Sequence, residues 1–399
     1  MYYSNLTIGS PPQEIQVELD TSSGYLEITA TNSTWCKDSN CTSGFFDINA
    51  SSTYQFANED FNTTYTWDNI LTGDFGSDDV AIDGVTLSSM DLAVNFGLLS
   101  DNILGLGYIA GKTSDAPATI LQALIDGGHI KSAAYSLWVD GSTEGTILFG
   151  GVNTAKYTGE LHTMSIPASN GIHYLPVALV TGISLQMDSA SNSQMSVLPT
   201  YMALDSKVSQ TFLPDDIVER IYQDLGVWWD GQFQVGRINC TMKQKDYNIT
   251  FTFIDFSISS PLSDFIGTGN GETCQFNIVP SFGETSVLGD TFLRNVYVVY
   301  DLSNNEISMA PTNFDESEGQ ILEIGSGATP ISGAVPESAT ATAAIPTAVV
   351  SPTAVRVFPA TSTSGTSTAT STSKGAAAAP TAIPNIMAGF IGAGLLIAL

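Results

Sequence analysis

Two aspartates end apolar segments in matching contexts, Val-Glu-Leu-Asp-Thr at 17–21 and Met-Ala-Leu-Asp-Ser at 202–206. An apolar-apolar-Gly step begins 83 residues after the first aspartate, at 103–105, and 82 residues after the second, at 287–289. Both spacings are nearly the same, and each aspartate is followed by a hydroxyl residue. The pattern predicts two copies of one structural unit, each of which contributes one carboxyl group.

Such a repeat can bring Asp20 and Asp205 together on a pseudo-two-fold axis. Two close carboxylates share a single proton, because ionising both costs Coulomb energy. The pair then contains an acid and a base at the same time. With a water between them, one carboxylate takes the water's proton while the other carboxyl protonates an amide carbonyl oxygen. The sequence therefore predicts amide hydrolysis without a metal, a cofactor or a covalent intermediate.

Other catalytic chemistries lack their motifs. The sequence has no Gly-x-Ser-x-Gly elbow, and no histidine is placed to serve a serine or cysteine nucleophile. The segment Gly105–Gly111 is rich in glycine, but it has one residue too many for a dinucleotide-binding fingerprint and no βαβ context. We interpret it as a structural turn.

Acidic residues dominate the charge. The 399 residues include 40 Asp and Glu against 12 Lys and Arg, which gives a net charge of −28. This charge repels a phosphate backbone, so nucleic acid is not expected as a partner. The acidity suits a protein that works in an acidic medium, where many carboxylates are neutral, and it suits simple solubility equally well.

The four cysteines fall into two groups, Cys36 with Cys41 and Cys240 with Cys274. An even count with local spacing favours disulfides and an oxidising compartment over zinc, because there is no Cys-x-x-Cys motif and the three histidines are scattered. We therefore predict no metal site. Seven glycosylation sequons also suit a secretory route, at Asn5, Asn32, Asn40, Asn49, Asn62, Asn239 and Asn248. With these secretory features, we expect a leader and a propeptide to precede residue 1 in the precursor.

Short apolar runs separated by Gly, Asn, Asp and Ser predict a mostly β protein, with residues 1–9 as its first strand. Two short helices are predicted. The first covers Pro117–Asp126, with proline in its first turn and glycines after its end, and the second covers Pro214–Leu225, with Asp215 and Asp216 at its N-terminus.

The C-terminal composition differs from the rest. Residues 313–375 are rich in Ser, Thr, Ala and Pro, which predicts a disordered, O-glycosylated stalk. Small residues at Gly375 and just after it, followed by an uncharged apolar end, match a signal for glycosylphosphatidylinositol (GPI) attachment, with 376–399 as the removed propeptide. A tail-anchor helix is the alternative, but the 14 apolar residues 386–399 are short for a bilayer core of about 30 Å.

Together these motifs resemble the pepsin-like aspartic peptidases, especially the fungal surface-anchored branch similar to yapsins. The resemblance covers residues 1–312, and it implies a bilobal β fold with lobes at 1–155 and 156–312 around a central cleft. It also implies a monomer that hydrolyses protein or peptide substrates at the fungal cell surface, and one disulfide in each lobe. Besides the aspartate segments, the motifs that carry it are Ile8–Gln13, Leu148–Val152 with Tyr157–Gly159, and Leu288–Arg294.

The same resemblance assigns roles around the two catalytic aspartates. Thr21 and Ser206 match inner hydroxyl residues that cross-brace the two aspartate loops, and Ser23 matches a hydroxyl that bonds the first aspartate. Tyr65 and Trp67 lie where the family has its flap, a hairpin that closes over bound peptide.

Several positions near this site depart from the family pattern. Ser22 and Lys207 stand in place of glycines, and Val208 stands in place of a hydroxyl residue. Glu27 stands where a tryptophan is usual, and Thr66 and Asp68 replace the glycines of the flap tip. A Lys207 ammonium close to the carboxyls would remove their shared proton, whereas one held in solvent would have little effect. The alternative function is therefore a catalytically impaired member of the fold that binds peptide or wall polymer.

Overall fold

The structure is a computed structural model. It describes residues 2–39, 41, 44–65, 69–97, 102–109, 118–139, 145–187, 192–195, 199–315, 319–327, 331–338, 343–345, 390–391 and 394–398. Strands contain nearly half of the described residues and far more of them than the helices do, in agreement with the predicted mostly β fold. The first eleven are β1 (Tyr3–Ile8), β2 (Gln13–Asp20), β3 (Leu26–Thr29), β4 (Gln55–Tyr65), β5 (Asn69–Ile82), β6 (Val85–Asn95), β7 (Ile103–Gly105), β8 (Ala134–Val139), β9 (Gly145–Phe149), β10 (Gly151–Asn153) and β11 (His162–Ser165).

The strands of the second half and the C-terminal part follow in chain order. They are β12 (Val177–Val180), β13 (Gly182–Gln186), β14 (Asn192–Met195), β15 (Thr200–Leu204), β16 (Thr211–Leu213), β17 (Trp228–Asp230), β18 (Val235–Asn239), β19 (Asn248–Thr252), β20 (Ser257–Pro261), β21 (Ile266–Asn270), β22 (Thr273–Phe276), β23 (Ile278–Pro280), β24 (Val287–Leu288), β25 (Val296–Asp301), β26 (Glu306–Pro311), β27 (Ile321–Glu323), β28 (Val335–Pro336), β29 (Phe390–Ile391) and β30 (Gly394–Ala398). The helices are α1 (Thr34–Ser39), α2 (Ile120–Asp126), α3 (Asp215–Leu225) and α4 (Asp290–Leu293), with 3₁₀ turns at Cys240–Gln244 and Leu262–Phe265.

A seven-stranded sheet contains the first aspartate. Its order is β1-β2-β7-β3-β6-β5-β4, and β2 runs parallel to β7 with Asp20 opposite Gly105. Side chains of β1 alternate between exposed and buried, so its apolar residues Leu6 and Ile8 enter the core. The apolar-apolar-Gly step at 103–105 thus lies directly beside the strand that ends in Asp20.

A five-stranded sheet repeats this pairing around the second aspartate. Its order is β12-β15-β24-β16-β23, and β15 runs parallel to β24 with Leu204 opposite Leu288. The predicted duplication is therefore present at the level of strand pairing. Smaller sheets of the second half, β14-β13-β19-β20 and β17-β18-β22-β21, complete this part of the fold.

An eight-stranded sheet combines strands from both halves of the sequence. Its order is β28-β11-β26-β25-β8-β9-β30-β29, so β25 and β26 from the end of the second half pair with β8 and β11 from residues 134–165. On this sheet the ring of Trp138 stacks on Tyr297 with centroids 5.4 Å apart, and both rings are buried. No local pattern in the sequence predicts a sheet shared in this way.

The two predicted helices form with shorter boundaries. Helix α2 begins at Ile120 rather than Pro117, because Thr119 is its N-cap and accepts a hydrogen bond from the Gln122 N–H. Pro117 lies outside the described residues. Helix α3 begins at Asp215 and buries one apolar face, and Gly226 ends it in the left-handed conformation with φ 68°.

The predicted flap hairpin is formed by β4 and β5. These strands pair antiparallel, with Phe61 opposite Gly73 and Tyr65 opposite Asn69. Tyr65 is the last residue of β4, and the structure describes its backbone only. The tip at 66–68, which includes Trp67, lies outside the described residues.

The predicted stalk at 313–375 begins with packed structure, which corrects that prediction for its first part. Strand β27 pairs with β10, and β28 pairs with β11. Ile324 and Ile331 are buried in the cluster that includes Trp138. These isoleucines lie in a segment rich in Gly and Ser. The composition of the segment therefore did not predict that it packs against the rest of the protein. Gly375 lies outside the described residues, whereas β30, in the predicted GPI propeptide, pairs antiparallel with β9.

Both predicted disulfides are present. Cys36 pairs with Cys41, and Cys240 pairs with Cys274, with Cα atoms 4.9 Å and 5.0 Å apart. Of the sequon asparagines, five are exposed: Asn5, Asn32, Asn49, Asn62 and Asn239. Asn248 is half-buried, and Asn40 lies outside the described residues. Among the described residues, no helix is long and apolar enough to span a bilayer.

The two disulfides should differ in their effect on stability. The Cys240–Cys274 bridge closes a loop with a sequence separation of 34, against 5 for Cys36–Cys41. In the chain-entropy model these loops contribute about 4 and about 2 kcal/mol, because a longer loop loses more freedom in the unfolded chain. We expect Cys240→Ala with Cys274→Ala to lower the free energy of unfolding by more than Cys36→Ala with Cys41→Ala in urea titrations. An equal or reversed effect would contradict this.

Candidate active site

Both aspartates lie at the ends of buried parallel strands. Asp20 is the last residue of β2 and Asp205 directly follows β15, and their exposures are only 3% and 2%. The Leu106 N–H donates to the Asp20 carbonyl at 2.8 Å, and the Asp205 N–H donates to the Leu288 carbonyl at 3.2 Å. Strand pairing with the apolar-apolar-Gly steps therefore fixes the backbone of each aspartate.

Close backbone approach requires a glycine beside each aspartate loop. A side chain at Gly105 would bring its Cβ to 2.5 Å from the Tyr25 carbonyl oxygen, and one at Gly289 would bring its Cβ to 2.2 Å from the equivalent Gln210 carbonyl oxygen. No real Cβ tolerates such a contact without a shift of the backbone. The glycines after the two apolar steps thus have the same packing role in both halves.

Thr21 and Ser206 cross-brace the two loops, as the resemblance implied. The Thr21 N–H donates to Ser206 Oγ at 3.2 Å, and the Ser206 N–H donates to Thr21 Oγ1 at 3.1 Å. The Thr21 hydroxyl donates to the Leu204 carbonyl at 2.8 Å, and the Ser206 hydroxyl donates to the Leu19 carbonyl at 2.6 Å. Both side chains are fully buried. This reciprocal set holds Asp20 and Asp205 side by side.

Each carboxylate also accepts a hydrogen bond from the backbone N–H of the residue two positions further along the chain. The Ser22 N–H donates to Asp20 Oδ1 at 2.8 Å, and the Lys207 N–H donates to Asp205 Oδ1 at 2.9 Å. These bonds are equivalent under the pseudo-two-fold relation. Because both donors are backbone N–H groups, these two bonds do not depend on which side chains stand at positions 22 and 207.

The hydroxyl that bonds Asp20 is that of Ser22, not that of Ser23. The Ser22 hydroxyl donates to Asp20 Oδ1 at 2.6 Å. The Ser23 hydroxyl is buried and has no hydrogen-bond partner among the described residues. The role predicted for Ser23 is therefore wrong in this structure, because the donor has moved by one residue to the position where the family has glycine.

Burial raises the pKa of Asp205 from an ordinary value near 3.8 to about 7. Desolvation is the largest cause, and the neighbouring charge of Asp20 is the second. Hydrogen bonds from the Lys207 N–H and the Ser22 hydroxyl lower the pKa, but they do not cancel the rise. Asp205 is therefore the member of the pair that keeps a proton up to near-neutral pH.

The Lys207 ammonium does not dominate the site. Its charge is the smallest of the named influences that lower the Asp205 pKa, and the residue is only half-buried. The raised pKa of Asp205 shows that this charge does not remove the proton of that residue. Val208 has no hydroxyl to bond Asp205, and its carbonyl accepts from the Asp290 N–H at 2.7 Å instead.

Two tyrosines near the aspartates were not anticipated from the sequence. The rings of Tyr135 and Tyr300 stack with centroids 4.9 Å apart, and both are fully buried. The pKa of Tyr135 is raised by burial first, and the charges of Tyr300, Asp20 and Asp205 contribute. Both phenols therefore lie near enough to the pair to be affected by its charge.

Glu27, which stands in place of the usual tryptophan, lies inside the first sheet. It is buried in β3, between β6 and β7. Elsewhere among the described residues, no group of three or more His, Cys, Asp and Glu side chains is arranged to hold a metal ion.

Comparison with known proteins agrees with this geometry. Residues 1–312 match the model of the family described as eukaryotic aspartyl protease. A probable aspartic-type endopeptidase, opsB, of Aspergillus oryzae is 40% identical over 355 residues, which cover 84% of this chain and 73% of the relative. Aspartic proteinase yapsin-3 of Saccharomyces cerevisiae is 32% identical over 82% of this chain and 68% of the relative. Secreted aspartic protease 8 of Candida albicans is 30% identical over 79% of this chain and 77% of the relative. With its paired aspartates, its cross-brace and these matches, the chain belongs to the eukaryotic aspartyl protease family.

Proposed function

We propose that this chain is an aspartic endopeptidase in which Asp20 is the general base and Asp205 is the general acid. The observation that carries the proposal is the asymmetry of two adjacent, buried carboxyl groups. The pKa of Asp205 is raised to about 7, whereas Asp20 Oδ1 accepts two hydrogen bonds from Ser22. Family membership and the named endopeptidase relatives support the same reaction.

The first chemical step follows from this proton arrangement. A water between the carboxyl groups gives one proton to the Asp20 carboxylate as its oxygen attacks the carbonyl carbon of the peptide bond. The Asp205 carboxylic acid gives its proton to the carbonyl oxygen. The product is a neutral tetrahedral diol, and the two aspartates have exchanged their protonation states.

The second step reverses the roles. Asp20 gives its proton to the amide nitrogen as the carbon–nitrogen bond breaks. The Asp205 carboxylate takes a proton from one hydroxyl of the diol as the new carboxyl group forms. The pair returns to its starting state without a metal or a covalent enzyme intermediate.

The cross-brace supports this reaction because it fixes the distance between the two aspartate loops. A shift of either loop by about 1 Å would cost much of the advantage of holding the reacting groups in place. In this proposal residues 1–155 and 156–312 are the two lobes, protein or peptide substrates bind across them, and the β4–β5 hairpin with Tyr65 and Trp67 covers the bound chain.

The same proposal places the enzyme at the fungal cell surface. The relatives named yapsin-3 and secreted aspartic protease 8, both disulfides and the exposed sequons support passage through the secretory route. Attachment through a GPI lipid at or near Gly375 is inferred from the small residues and the apolar end of the chain.

Removing either carboxyl group should abolish hydrolysis. We expect Asp20→Asn and Asp205→Asn to lower kcat/KM by at least about 10²-fold, because each removes one partner of the acid–base pair. Cleavage of a denatured protein by the purified ectodomain, with and without pepstatin, is the measurement. The matched control is Asp246→Asn, an exposed aspartate just before β19. A folded wild-type ectodomain that binds peptide but cleaves nothing between about pH 3 and 7 would favour the impaired, binding-only alternative.

The alkaline limb of the activity profile should lie near neutral pH. Asp205 must be protonated to act as the acid, and its pKa is raised to about 7. We therefore expect kcat/KM to fall with an apparent pKa near 7 rather than near the ordinary 3.8. A loss of activity already complete at about pH 5 would contradict this assignment.

The raised pKa of Asp205 should also make the free energy of unfolding depend on pH. A carboxyl with a raised pKa favours the folded state fully below its unfolded value near 3.8, and this contribution is lost as the pH rises through about 7. The free energy of unfolding should therefore fall between about pH 4 and about pH 7. Asp205→Asn should remove that part of the slope, and Asp246→Asn should leave it unchanged.

The proposed lipid anchor can be tested by enzymatic release from membranes and by a C-terminal truncation. Phosphatidylinositol-specific phospholipase C should release the protein from membranes, because the lipid would be its only attachment. A control that ends before residue 386 should be secreted without any enzyme treatment. Retention after phospholipase treatment, with the C-terminal peptide intact in mass spectra, would show a different anchor.

A further inference from the structure

The backbone around the two aspartates is symmetric, but the side chains are not. The Ser22 N–H and the Lys207 N–H occupy equivalent positions and donate to equivalent carboxylate oxygens at 2.8 Å and 2.9 Å. Any preference of the proton for one aspartate must therefore come from something other than these two bonds.

The largest visible difference is a hydroxyl on one side only. Ser22 Oγ donates to Asp20 Oδ1 at 2.6 Å, so this single oxygen accepts both the N–H and the O–H of one residue. Position 207 holds a lysine, which has no hydroxyl and reaches the pair mainly through its backbone. The Ser23 hydroxyl, which the family pattern would use, has no partner among the described residues.

We propose that the Ser22 hydroxyl is a positioning group that directs the single proton of the pair to Asp205. It does so by donating at 2.6 Å to the carboxylate of Asp20, which stabilises the ionised form of that residue. This role rests on the proposed endopeptidase function, because it assigns which aspartate is the base and which is the acid.

Elementary hydrogen-bond chemistry supports this assignment. A hydroxyl has a single O–H donor, and Ser22 gives it to Asp20 Oδ1. A short bond to an ionised acceptor is also stronger than a neutral one. The Ser22 hydroxyl also lowers the pKa of Asp205, but burial and the charge of Asp20 outweigh this effect.

The other groups that act on the pair do not create the same preference. The charge of the Lys207 ammonium exerts the weakest of the named effects on Asp205, and the Lys207 backbone bond matches that of Ser22. Tyr135 and Tyr300 face the pair, but burial raises the pKa of both phenols, so they are neutral throughout the acidic and neutral range. Ser22 is thus the side chain through which the asymmetry can be changed by mutation.

The test is a titration that does not require activity. Carboxyl ¹³C NMR of the ectodomain with labelled aspartate gives the two apparent pKa values of the pair in the wild type, Ser22→Ala and Ser22→Thr. We expect the lower value to rise by about one to two pH units in Ser22→Ala, the size of one charge-assisted hydrogen bond. Ser22→Thr keeps the hydroxyl and should titrate like the wild type, which separates the hydroxyl from simple packing.

Ser23→Ala is the competing variant. If Ser23→Ala moves the lower value and Ser22→Ala does not, the family arrangement holds in solution and the proposal is wrong. Equal values in wild type and Ser22→Ala would also overturn it. In the active enzyme the acid-side limb of kcat/KM should shift upward by the same amount in Ser22→Ala. An inactive wild type with the expected NMR shift would refute the proposed function and leave this inference standing.

Discussion

The structure depends on one reciprocal set of hydrogen bonds, formed by Thr21 and Ser206 between loops that are 185 residues apart in sequence. Each residue gives its backbone N–H to the other's hydroxyl, and each hydroxyl donates onward to a carbonyl of the opposite strand. All the donors and acceptors in this buried set are used, so a displacement of either loop would leave polar groups unsatisfied at a cost of about 1–3 kcal/mol each. The brace therefore makes the separation of the two carboxyl groups a property of the fold.

Bringing the carboxyl groups together in a buried place changes their proton affinity. Two unit charges about 4 Å apart interact by about 4 kcal/mol at an effective dielectric constant of about 20, which corresponds to about three pKa units. The rise of the Asp205 pKa from 3.8 to about 7 has that size, but desolvation by the surrounding core is its first cause and the Asp20 charge its second. The stacked rings of Tyr135 and Tyr300 are buried in the same core, although both residues lie far from the aspartates in sequence.

Much of the fold follows from the sequence because the signals are local and repeated. The duplication was predicted from two aspartate segments, each followed by an apolar-apolar-Gly step at nearly the same distance, and the structure shows it in the parallel pairing of β2 with β7 and of β15 with β24. The cross-brace and both disulfides followed from the family resemblance. The eight-stranded sheet could not be predicted, because pairing of β8 with β25 joins segments that are distant in sequence and that no local pattern connects. Packed residues such as Ile324 were missed because their surroundings have the composition of a stalk.

The family pattern does not predict which side chain bonds Asp20 in this protein. A serine in place of glycine at position 22 looked like a loss, because a side chain takes space beside the reacting groups. Its hydroxyl instead forms the bond expected of Ser23, one residue earlier in the loop. The backbone N–H of Ser22 still makes the bond that a glycine would make, so the substitution adds a donor to Asp20 and removes none. On the other side, Lys207 also keeps its backbone bond and adds only a weakly acting charge. Two departures that appear equivalent in the sequence therefore have different consequences, because only the side chain at position 22 is short enough and polar enough to join the pair.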